Sequence, residues 1–184
     1  MVTRAFPPPS RAAGAAPIIL TGTMGAADQR FFDALRAAHY PPERNYLAAH
    51  ITLFHQLPPS CLDELERLVA AIAKDTPAPA AALREVYSLG RGVAFRIDSP
   101  ELLAIRARIA DHFHGLLSAQ DQGTPRLHIT IQNKVTGPES RALANDLAQS
   151  FQPRPLAITG LAAHHYRGGP WEPAFTRPFR ALRR

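Results

Sequence analysis

His50-Ile51-Thr52-Leu53 and His128-Ile129-Thr130-Ile131 are two copies of one four-residue pattern, and they stand 78 positions apart. In each copy a histidine and a threonine flank one apolar residue and a second apolar residue follows. That is the alternation of a strand with chemistry on one face and packing on the other. His50 and Thr52 then share a face, as do His128 and Thr130, while Ile51, Leu53, Ile129 and Ile131 point into whatever packs behind. A shuffled chain with eight His, ten Thr and 46% apolar residues holds roughly 0.2 such tetrads, so two or more occur in about 2% of shuffles. Gly90 and Gly168 are 78 apart as well, and landmarks repeated at one spacing indicate a duplicated unit.

The order of elements on either side of the motifs repeats too. Ile18 to Thr21 reads as a buried strand, Asp28 to His39 as a helix ended by Pro41-Pro42, and Tyr46 to His55 as the first motif strand. Ser60 to Lys74 is then a second helix and Leu83 to Leu89 a third strand. After the turn Gly90-Arg91-Gly92 come strand Val93 to Ile97, helix Pro100 to Leu117, motif strand Leu127 to Val135, helix Pro138 to Phe151 and strand Leu156 to Tyr166. Arg167-Gly168-Gly169 is the matching turn, and Trp171 to Phe179 forms a last strand in which Pro173 and Pro178 imply an edge. Neither strand-helix-strand-helix-strand half buries its motif strand alone. The expectation is an α+β fold, a single bilobal domain over 17–184 with half one at about 17–90 and half two at about 91–180, its antiparallel sheets flanking a central cleft. Residues 1–16 read as a Pro/Ala-rich disordered arm, a signal-peptide reading being interrupted by Pro17.

A chain of 184 residues with 20% charged content reads as an ordinary globular protein, and no apolar run reaches a membrane span. Its net charge of +6 favours an anionic partner, and 19 of its 21 cations are Arg, whose planar fork suits phosphate oxygens. A single cysteine, Cys61, excludes an internal disulfide and a cysteine-based zinc cage and suggests a reducing, cytoplasmic setting. No Walker-type or dinucleotide-type glycine loop is present. His112 and His114, two apart on a helix, make a poor metal pair.

Near neutral pH two histidines on symmetric strands supply one imidazole to accept a proton and one imidazolium to donate it. In-line phosphodiester displacement needs that pair, with the threonine hydroxyls donating to the non-bridging oxygens, and the scheme requires no metal or cofactor. On the residues alone either histidine serves either role.

Both motifs and the duplicated order, over roughly Pro17 to Phe179, resemble the two-histidine phosphoesterase superfamily, in particular its bacterial branch of 2′-5′ RNA ligases and RNA 2′,3′-cyclic phosphodiesterases. The resemblance implies a cleft between the motif strands and a substrate, RNA or nucleotide, whose ribose 2′,3′-cyclic phosphate end is opened to a 2′-phosphate. It implies His50 and Thr52, His128 and Thr130 as catalytic residues, with His50 as proton donor to the 3′ oxygen and His128 as the base that activates water. The flanks Phe54-His55-Gln56-Leu57-Pro58 and Gln132-Asn133-Lys134-Val135 look like a particular sub-branch.

Alternation continued along the strands puts Phe54 beside His50, and Gln132 and Lys134 beside His128, as substrate-binding candidates: Phe54 to stack a base, Lys134 to hold a phosphate. His55 and Asn133 then face away. In His164-His165-Tyr166 one histidine faces the cleft, and His165 and Tyr166 are further candidates. Arg84, Arg91, Arg96 and Arg126 suit a basic rim. The protein is expected to act as a monomer. Three competing readings use the same residues: 2′-5′ ligation or RNA end trimming, a non-catalytic RNA-binding module, and, least favoured, a metallophosphatase, since no acidic residues adjoin the motif histidines.

Overall fold

A computed structural model describes residues 16–180, so the expected arm lies, apart from Ala16, outside the described residues. In chain order these form β1 (Ile18–Met24), α1 (Ala26–His39), β2 (Ile51–Leu57), α2 (Leu62–Asp75), β3 (Ala82–Ser88), β4 (Gly92–Asp98), α3 (Pro100–His112), α4 (Ala119–Gln122), β5 (His128–Asn133), α5 (Gly137–Ser150), β6 (Arg154–Pro155), β7 (Ile158–His165) and β8 (Glu172–Pro178). The third helix stops at His112, not at Leu117. Gly115 takes a φ of +84°, the left-handed conformation that ends helices, and the short α4 follows.

Two four-stranded antiparallel sheets result, in the orders β2-β1-β7-β8 and β5-β4-β3-β6. They are not the two halves of the chain, because each half lends its third strand to the other's sheet. β3 and β4 are joined by a three-residue turn closed by Leu89 N–H on the Gly92 carbonyl at 2.7 Å, and so tight a hairpin makes them neighbours. The helices trade places in the same way. Phe32 of α1 meets Phe95 of β4 edge to face at 5.2 Å, and Phe95 meets Phe151 beyond α5 at 5.5 Å, so α1 and α5 pack on the second sheet. Leu102 of α3 packs beside Gly22 of β1 on the first. With third strands and first helices exchanged, the apolar positions merge into a single core.

The motif strands β2 and β5 are the edge strands of their sheets and lie against each other. Both carry the same irregularity. Thr21 pairs with Thr52 and Leu20 with Phe54, leaving Leu53 as an extra residue; Ala94 pairs with Thr130 and Val93 with Gln132, leaving Ile131 as an extra residue. A bulge just after each motif threonine turns over the side chain that follows, and in β2 a second irregularity between Phe54 and Leu57 shifts the register again.

Candidate active site

Three side chains of α1 place the first motif. Gln29, Asp33 and Arg36 lie on one helix face, at i, i+4 and i+7. Gln29 Nε2 donates to the Ala49 carbonyl at 2.9 Å and Asp33 Oδ1 accepts the Ala49 N–H at 2.6 Å. Arg36, only 3% exposed, donates from Nε to the Leu47 carbonyl at 3.1 Å, from Nη2 to Asn45 Oδ1 at 2.9 Å and from Nη1 to the Thr130 carbonyl at 2.8 Å. One buried guanidinium thus ties the approach to the first motif to the backbone of the second. Its counterpart Arg106 on α3 is 5% exposed, reaches toward the Leu53 carbonyl at 3.5 Å and donates to that of Asp121.

The two motif histidines are held alike. His50 Nδ1 lies 2.8 Å from the Ala48 carbonyl and His128 Nδ1 lies 2.7 Å from the Arg126 carbonyl, each two residues upstream. A carbonyl only accepts, so both rings carry the Nδ1–H and leave Nε2 to take or give a proton. Their surroundings differ. The His50 ring lies 4.5 Å from that of Trp171, which lies 5.3 Å from His164. Burial lowers the His50 pKa to about 4 from an ordinary 6.5, with Arg36, His128 and His164 adding repulsion against the Ala48 carbonyl's opposing pull. Burial also lowers His164, whose Nε2 is 3.2 Å from Thr21 Oγ1. His128 has Tyr87 edge-on at 6.5 Å, and the Arg126 guanidinium stacks over Tyr87 at 5.6 Å.

A cavity of about 630 Å³ brings together His50 of the first motif and Thr130 of the second with Arg36, Arg44, Tyr46 and Trp171. Another of about 450 Å³ shares His50, Tyr46 and Trp171 with it and adds Thr21, Asp33, His164 and Thr176. His128 and Thr52 lie outside both linings, Thr52 standing opposite Thr21 across β1 and β2.

The bulges overturn the orientations expected beyond the threonines. Phe54 is fully buried in the core with Arg106 over its ring at 4.5 Å, so it offers no face to a base. Gln132 is buried, and Asn133, expected to point away, lines the larger cavity instead. Lys134 lies beyond the end of β5 with a φ of +65°, exposed, where strand alternation no longer applies. His164 and not His165 faces the site, as its contacts with Thr21 and Trp171 show, whereas Tyr166 does line the larger cavity. His55, expected to point away from the cleft, is held by Asp121. Asp121, 1% exposed, accepts its N–H and that of Gln56, each at 2.9 Å. Burial works to raise the Asp121 pKa, but these bonds and those from the His55 ring and Ser118 outweigh it and hold it below the ordinary value.

Of the rim arginines, Arg84 pairs with Asp98 and Arg96 with Glu85 on the second sheet, so both are partly neutralised. Sequence reading missed Arg36, Arg44, Tyr46 and Trp171. The polar stripe of Gln29, Asp33 and Arg36 on a helix whose Phe32 enters the core was the available signal. Among the described residues no group of three or more His, Cys, Asp or Glu converges to hold a metal, and no helix is long and apolar enough to cross a membrane.

Comparison with known proteins fits this architecture. The family profile described as the 2′-5′ RNA ligase superfamily matches residues 25–170. TT0787 of Thermus thermophilus superposes with a TM-score of 0.60 at 15% identity, over 91% of this chain and 100% of that one. E. coli LigT in complex with NADP+ gives 0.57 at 16% identity, over 91% and 99%, and in complex with 3′-AMP gives 0.52 at 17%, over 89% and 98%. At these identities the likeness is one of fold. Comparison with curated proteins found no match. The profile match covers most of the chain and contains both histidine motifs, and the chain belongs to the 2′-5′ RNA ligase superfamily, the two-histidine phosphoesterases.

Proposed function

We propose that the protein is a metal-independent phosphodiesterase that opens the 2′,3′-cyclic phosphate end of RNA or of a nucleotide to a 2′-phosphate. The observation that carries this reading is the matched anchoring of His50 and His128, each with Nδ1 on a backbone carbonyl and Nε2 left to exchange a proton. Water attacks phosphorus as one imidazole takes its proton. The P–O3′ bond breaks, and the other imidazole, charged, protonates the departing 3′ oxygen. Thr52 and Thr130 donate to the non-bridging oxygens as charge builds there. Free His50 is neutral at neutral pH, so a donor role for it, the order implied by resemblance, requires proton uptake along with the anionic substrate; an acceptor role requires none.

Tyr166 stays among the substrate-binding candidates and Asn133 joins it through the larger cavity, and RNA or a nucleotide is the partner proposed. The reading keeps a monomer of one bilobal domain over 17–184 in the cytoplasm. Sealing of 2′-5′ linkages would use the same two histidines in the same roles, with the 5′-hydroxyl of a second RNA attacking phosphorus in place of water, and the family description favours testing it. The experiment is turnover of an oligonucleotide ending in a 2′,3′-cyclic phosphate, in chelator, with products identified. His50→Ala and His128→Ala are each expected to lose about 10²-fold to 10⁴-fold in rate. Full activity in either variant overturns the assignment.

A further inference from the structure

The two turns that the sequence places 78 residues apart are not equivalent in space. Gly90 has a φ of +86° and Gly168 one of +88°, so both use the glycine-favoured left-handed conformation. The first turn spans three residues between β3 and β4, the second six between β7 and β8. The extra length carries Pro170 and Trp171 back over the first motif. There the indole tilts at 51° onto the His50 ring, with His164 on it as well. Pro170, Trp171, Tyr46, Leu47 and His50 line both cavities, so this strap is the wall between them. The short turn Leu89-Gly90-Arg91 has no aromatic ring to lay on His128, whose aromatic neighbour among the described residues is Tyr87 of β3.

We infer that Trp171 is a positioning residue for the reaction proposed above: its indole fixes the plane of the His50 ring, shields it from water and separates the two chambers that meet at that ring. This rests on the proposed role of His50, but the geometry is testable apart from it. The indole keeps water from the imidazole, which disfavours the charged form against the weaker pull of an aromatic face on a cation, and its removal lets solvent reach the ring. The charged and titratable groups that face His50 or share its cavities are Arg36, Asp33 and Tyr40 at α1, Arg44 and Tyr46 from the α1–β2 connection, His128 from β5, His164 from β7 and Tyr166 beyond it. All of them remain when the indole is removed.

The chain has one tryptophan, so its fluorescence reports the surroundings of this indole, the rings of His50 and His164. A cation on the indole face quenches it. In wild type a drop is expected as His50 protonates near pH 4; His50→Gln removes that part of it, and His164→Gln, which removes the other imidazole on the indole, leaves it in place. Histidine NMR then follows Trp171→Ala, with the His50 midpoint expected to rise by about one unit or more and Trp171→Phe to restore it. On a cyclic phosphate substrate, kcat of Trp171→Ala falls about tenfold with KM moved less than about threefold, and the limb of the pH profile belonging to His50 shifts with the NMR midpoint. Deleting Gly169 and Pro170, which withdraws the indole by another route, has the same effect. An unchanged His50 midpoint in both variants overturns the inference. Absence of turnover in wild type sinks the proposed function and leaves the fluorescence and NMR tests standing.

Discussion

The neutrality of His50 has a measurable cost at low pH. Its pKa of about 4 in the folded chain lies below the 6.5 it has when unfolded. Between these values the unfolded chain holds a proton at this ring that the folded chain lacks. Stability therefore falls as pH drops through that window, by up to about 1.4 kcal/mol per pH unit from this one group, and is unaffected above pH 6.5. The gap of about two and a half units corresponds to a ceiling of about 3 kcal/mol at pH 4, and the partly open edge of the ring lowers that to roughly 2 kcal/mol. The perturbation is His50→Gln, which removes the titration and keeps a side chain able to donate to the Ala48 carbonyl. Urea unfolding of both proteins at half-unit steps from pH 7 to pH 4 gives the difference in stability, in which the other titrating groups largely cancel. The variant should gain on wild type by roughly 2 kcal/mol across the window. A difference constant to within about 0.5 kcal/mol would refute the claim that burial holds this imidazole neutral.

Inorganic phosphate should bind more tightly as pH falls from 7 to 5, because an anion at His50 raises its pKa and takes up a proton; calorimetry in buffers of different ionisation enthalpy reads the uptake, which His50→Gln should remove. Asp121→Asn leaves the N–H groups of His55 and Gln56 with a weaker acceptor and should lower stability by about 2–4 kcal/mol in urea unfolding, while turnover per folded molecule stays near wild type. Arg36→Lys replaces a planar fork that meets three oxygens with a single ammonium, and should cost about 1–3 kcal/mol in the same assay along with reduced activity. Arg126→Ala should weaken RNA binding and reduce the slope of log affinity against log salt by about one, measured by fluorescence anisotropy of a labelled oligonucleotide.

The period-2 pattern of the motifs, the 3.6-residue pattern of the helices and the glycine-marked turns were enough to lay out the elements in order, because each depends on residues close in the chain. The helix that ran short at His112 failed on a local detail, Gly115 in a left-handed conformation. Along the motif strands Ile51, Leu53, Ile129 and Ile131 are buried as the alternation predicts, and the pattern is lost one residue later, at Phe54 and Gln132, because Leu53 and Ile131 are the extra residues. A bulge is a property of how one strand meets its partner, so nothing in the tetrads announces it. Phe54, Gln132 and Asn133 were misplaced for that one reason. His165 was preferred to His164 because the register of β7 against β1 is likewise a matter of pairing.

By itself the sequence determined the duplicated plan, the two histidine-threonine pairs and the acid-base chemistry those side chains can perform, since residue identity and local spacing suffice for all three. Only the tertiary structure decided the exchange of strands and helices between the sheets, the buried Arg36 that joins the two motifs, and the tryptophan that sets His50 apart from His128. Each of these joins residues far apart in the chain, and burial, which sets both the orientation of a side chain and its affinity for a proton, exists only once the chain has closed around it.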